Sequence, residues 1–135
     1  GKQGGLFATC LINITATVIA MSHDILLIHP AHPIPPDFLL TDREPLLPLG
    51  APDRVRSHIL NAFPQTDWSD PAWGIWEQDT DGIEFNLGHD APVTTLMLHV
   101  RAGPETLERI LAFCRSLDWT AADCATRTVL GARRA

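Results

Sequence analysis

The stretch Asp81-Gly82-Ile83-Glu84-Phe85-Asn86-Leu87-Gly88, continued by Val93 to Val100, constrains the fold more than any other part of the chain. Ile83, Phe85 and Leu87 alternate with Glu84 and Asn86, the period-2 pattern of a strand with one wet face. Beyond the turn-prone Gly88-His89-Asp90-Ala91-Pro92 the alternation resumes. Leu96, Leu98 and Val100 then share one side, and Thr95, Met97 and His99 the other. Two such runs joined by a short Gly-containing loop predict an antiparallel hairpin. The other elements are expected to pair with it or to cover it.

Upstream, Asp24 to His29 is a continuous apolar run stopped by Pro30, which predicts a central strand buried on both faces. Many of the 11 prolines crowd into the segment from Pro30 to Pro71. Proline removes a backbone donor and fixes φ, so residues 30–50 read as a long irregular loop pinned by Leu39, Leu40, Leu46, Leu47 and Leu49. A first helix is expected from Ala51-Pro52-Asp53, carrying Val55, Ile59, Ala62 and Phe63 at helical spacing and ending at Pro64. Asp67 to Trp73 reads as a turn-rich passage, and Trp73 to Asp79 as a strand that turns tightly into the hairpin. A second helix opens at Gly103-Pro104-Glu105, with Leu107, Ile110, Leu111, Cys114 and Leu117 on its apolar stripe. A last short strand is expected near Thr126 to Leu130.

From Met21 the order is β-α-β-β-β-α-β. It predicts an α+β two-layer sandwich, a mostly antiparallel sheet with both helices on one face, on a plan close to the ferredoxin-like one. At 135 residues the chain fits a single domain over 21–135. Residues 1–20 form an N-terminal extension with three readings: an additional strand, a leader-like apolar segment, or an upstream extension of the gene. Gly1 in place of Met suggests a cleaved tag, and Met21-Ser22-His23-Asp24 looks like a natural start. As a membrane span, Leu6 to Ala20 is too short.

A net charge of −6 argues against a nucleic-acid partner, since the Arg127, Arg133 and Arg134 group is too small to track a phosphate backbone. Cys10, Cys114 and Cys124 are odd in number and lack CxxC spacing, which suits reduced thiols in a cytoplasm and no disulfide framework. Glycine-rich phosphate loops and the Gly-x-Ser-x-Gly elbow are absent from the sequence, and Ser57 beside His58 forms no dyad, because consecutive helical residues diverge. No cofactor is therefore expected.

Two functional readings follow. The first is a non-catalytic, small bacterial-type binding or interaction domain, a homodimer that neutralises or regulates a protein partner through an acidic, tryptophan-containing surface. Trp68, Trp73, Trp76, Glu77, Asp79 and Glu84 are its candidate residues, because indole rings offer rigid contact area and cation–π capacity beside carboxylates. Trp73 and Ile75 share a strand face while Trp76 points the other way, so at least one aromatic faces away from the helical layer. The second reading is a small-molecule sensor or metal-assisted enzyme with a pocket under the Pro-rich loop. His29, His32, His89 and Asp90 would be its polar or metal-ligating groups, with His99 a further candidate ligand.

Overall fold

The computed structural model describes residues 22–35, 39–41 and 43–130. The expected strand or leader within 1–20 lies outside them. The described elements run β1 (Ser22–Pro30), β2 (Leu46–Leu47), α1 (Pro52–Ala62), β3 (Asp67–Asp70), β4 (Trp73–Gln78), β5 (Asp81–Asn86), β6 (Leu96–Arg101), α2 (Pro104–Leu117), β7 (Thr120–Asp123) and β8 (Thr128–Leu130). Over the described residues the result is a mixed α+β fold, with an antiparallel sheet of eight strands and two helices.

The sheet order is β3-β4-β5-β6-β1-β7-β8, with β2 paired to the end of β1. β1 lies between β6 and β7 and is antiparallel to both. Its consecutive buried residues Ile25, Leu26, Leu27 and Ile28 are the product of that central position. The sequence-based element order is corrected at three places. Asp67–Asp70 is a short edge strand on β4, and Thr120–Asp123 is a strand of its own that forms a hairpin with β8. Leu46 and Leu47, inside the supposed loop, add the third. Asp-Trp-Ser-Asp has turn composition, and it becomes a strand only through its neighbour. Within it the Ser69 hydroxyl and backbone N–H both donate to Asp67, and these bonds hold its carboxyl below the ordinary carboxylate range.

Both helices cover the same face of the sheet. Val55, Ile59 and Phe63 at the first helix, and Ile110, Phe113 and Cys114 of α2, pack on Ile25, Leu27, Trp76, Ile83, Phe85, Leu98 and Val100. Side chains of this size contribute roughly 1.5–3 kcal/mol each when fully buried. Phe63, just past the end of α1, is the hub: its ring lies 5.1 Å from Trp76, 5.7 Å from Phe85 and 6.3 Å from Phe113, centroid to centroid. The Arg109 guanidinium caps this cluster at 4.6 Å from the Phe63 ring and donates to the Ala62 carbonyl at 2.7 Å. The Thr106 hydroxyl donates to Asp81 at 2.6 Å and ties the start of α2 to the start of β5. Burial in this layer pushes the Cys114 thiol up to about 12, so it is no nucleophile at neutral pH.

On the opposite face a smaller core forms from Leu26, Ile28, Leu40, Met97, Ala122, Cys124 and Val129. The described residues of the proline-rich segment cross it as a strap, with Leu40 in the core and Ile34 and Leu46 packed against it. Ala31 N–H donates to the Pro45 carbonyl and Leu40 N–H to the Arg127 carbonyl, both at 2.9 Å. Cys124 is disulfide-bonded, which corrects the expectation of three reduced thiols.

Candidate functional site

The strap covers one half of that second face, leaving the strands β4, β5 and β6 and the start of β1 to carry side chains outward. Register determines which. One cross-strand row runs Asp24, His99, Glu84, Ile75, from β1 through β6 and β5 to β4. The next runs Ser22, Arg101, Gly82, Glu77. Gly82 offers no side chain between Arg101 and Glu77, and a shallow cavity of about 220 Å³ lies over this part of the sheet. A third row, Leu26, Met97, Asn86 and Trp73, leads from the covered core to the open half.

His99 is the centre of the arrangement. Its Nδ1–H donates to Asp24 Oδ1 at 2.9 Å, and both side chains are largely shielded, 24% and 13% exposed respectively. An ionised carboxylate only accepts, so this bond keeps the proton on Nδ1. The Trp73 ring is stacked on the imidazole, with centroids 5.6 Å apart and planes 22° apart. Its indole N–H reaches over to donate to Glu84 Oε1 at 3.2 Å. Asp24, His99, Trp73 and Glu84 thus form one linked polar–aromatic array on four adjacent strands. Ile75, 40% exposed, stands beside it. The cavity walls bring three carboxylates, Asp24, Glu77 and Glu84, against one guanidinium, Arg101.

The six residues expected to form an acidic tryptophan surface are divided by the fold. Trp73, Glu77 and Glu84 lie on the open face. Asp79 is exposed in the β4–β5 turn with φ at 57°, off the face. Trp76 is 4% exposed in the helical core, and Trp68 folds over Gly74 against the same core. The alternation along β4 does set Trp73 and Ile75 against Trp76, and the helices cover the Trp76 side.

His29, His32, His89 and Asp90 do not gather in one pocket. His29 lines a cavity beside α1, and Asp90 lines a different one between Asn86 and Met97. Among the described residues no three His, Cys, Asp or Glu side chains converge in the manner of metal ligands. The residues that sequence reasoning missed are Asp24 and Arg101, and His99 entered it only as a spare ligand. The Asp24–His99 link spans 75 positions, and only the β1–β6 pairing brings it together.

No protein-family model, curated protein or solved structure matches the chain. Among the described residues no helix is long and apolar enough to cross a membrane.

Proposed function

We propose that this chain is a non-catalytic binding domain that takes up a basic segment of a partner protein on the uncovered half of its sheet. The observation that carries the reading is the array of Asp24, His99, Trp73 and Glu84, because it holds an indole ring in a fixed pose on an open, net-acidic surface. Trp73 and Ile75 supply apolar contact, and Glu77 and Glu84 supply charge for lysine or arginine side chains. The polar groups of the array bond to one another: Asp24 engages His99, and Glu84 engages Trp73. Among the described residues the hydrogen bond of the His99 ring is to Asp24.

A homodimer belongs to the same proposal, though not by extending the sheet at β8, where Leu39 bridges Thr128 and Leu40 N–H donates to the Arg127 carbonyl. Antiparallel self-pairing of the β3 edge would bring Asp67 and Asp70 close to their own copies, which like-charge repulsion disfavours.

Titration of the isotope-labelled protein with a penta-arginine peptide tests the binding reading. Amide and indole signals of Trp73, Ile75 and Glu84 are expected to shift, and the Glu77→Gln, Glu84→Gln double variant to lose most of the effect. Shifts spread evenly over all acidic surfaces, unchanged in that variant, would defeat it. Light scattering that returns a monomer rejects the dimer alone.

A further inference from the structure

A second cavity, of about 510 Å³, opens where the end of β1, the loop at residues 48–51, α1 and the residues closing α2 meet. It shares no lining residue with the open sheet face. Its polar side chains come from separate segments. His29 is contributed by β1; Arg54 and His58 come from α1, four positions apart and so on one helix face. Trp119, Leu49 and Leu117 give it an apolar side.

The walls are held in place. Leu49 N–H donates to the Val93 carbonyl, and Val93 N–H to the Gly50 carbonyl, both at 2.8 Å. Gly50 has φ at +137°, a conformation that side-chain-bearing residues rarely adopt, and the Arg54 stem lies along it, with Cγ 3.8 Å from where a Cβ would be. His58 meets Trp119 edge-on at 5.9 Å, and Trp119 in turn is wedged edge-on against Phe113 at 5.6 Å.

The charge of this hollow is opposite to that of the molecule. Asp and Glu outnumber Lys and Arg by 16 to 10 in the chain, yet among the described residues no carboxylate lines the cavity. The Arg54 and His29 side chains make no hydrogen bond or ion pair among the described residues. A guanidinium with no counterion among the described residues, next to two imidazoles and a fixed indole, is arranged for an anion that also has something apolar to bury. The volume lies within the range of small-molecule sites.

We infer that this cavity binds a small organic anion: a carboxylate or phosphate headgroup held by Arg54, His29 and His58, on an apolar, ring-sized body packed against Trp119, Leu49 and Leu117. The site keeps His29 from the pocket expected under the Pro-rich loop, and replaces His32, His89 and Asp90 with Arg54 and His58.

The test is an NMR titration of the full chain with benzoate, phenyl phosphate, benzamide and inorganic phosphate. At least one of the two aromatic anions is expected to shift the Trp119 indole and Gly50 amide signals and to saturate at millimolar concentration. The uncharged benzamide should bind about tenfold more weakly, and Arg54→Gln should weaken the anion by about tenfold with signals elsewhere unmoved. Circular dichroism checks that this exposed substitution leaves the fold intact. Four results would each overturn the inference: silence of both cavity signals, benzamide equal to benzoate, indifference to Arg54→Gln, or inorganic phosphate binding as well as phenyl phosphate.

Discussion

Trp68 occupies the space that a side chain on Gly74 would need: a Cβ at Gly74 would lie 2.6 Å from the indole Cη2. The two residues sit on neighbouring strands, β3 and β4, whose register shifts between Asp67 and Asp70. Gly74→Ala must therefore push a large ring out of the core. The expected cost is about 1–3 kcal/mol, the usual range for overpacking, read as a lower urea midpoint with unchanged slope. An unchanged midpoint would mean that Trp68 does not pack there.

Alkaline stability isolates Cys114. The chain has no tyrosine, and Lys2 is its one lysine, so little else titrates above pH 9. With its thiol pushed up to about 12 from an ordinary value of 9.0, the folded state keeps its proton while the unfolded state loses it. Stability is accordingly full below about pH 9 and falls as pH rises toward 12, by up to roughly 1.4 kcal/mol per pH unit. Urea titrations at several alkaline pH values should show this slope in the native protein and lose most of it in Cys114→Ala. An equal slope in both proteins would place that thiol in solvent.

Much of the fold was legible where the pattern is local. The run Ile25 to Ile28, the alternation of Ile83 to Leu87 and the stripe Leu107 to Leu117 each carry their own periodicity, and all three form the expected element. β3 and β7 were not legible, because Asp67–Asp70 and Thr120–Asp123 gain strand geometry from a neighbour rather than from β propensity. The candidate surface shows the same division. Alternation separates Trp73 from Trp76 but does not say which side the helices will take. Asp24 and His99 meet only through pairing across 75 positions, and His29 joins Arg54 and His58 only because β1 ends beside α1.

The Asp24–His99 bond has a spectroscopic signature. Long-range proton–nitrogen spectra should find His99 as the Nδ1–H tautomer, with the imidazole losing this preference in Asp24→Ala. The same substitution is expected to cost about 1 kcal/mol, since the pair is shielded but not sealed from water. An Nε2–H tautomer in the native protein would contradict the assigned bond.

Ile75 and Leu60 are exposed to nearly the same extent, 40% and 38%, one on the open sheet face and the other on α1. A photo-crosslinking amino acid placed at each position in turn, in living cells of the source organism, compares the two surfaces directly. The expected result is a discrete crosslinked partner from position 75, attached through a lysine- or arginine-rich segment, and none from position 60. Labelling from position 60 alone, or the same products from both, would contradict the assignment of the uncovered half-sheet as the binding surface.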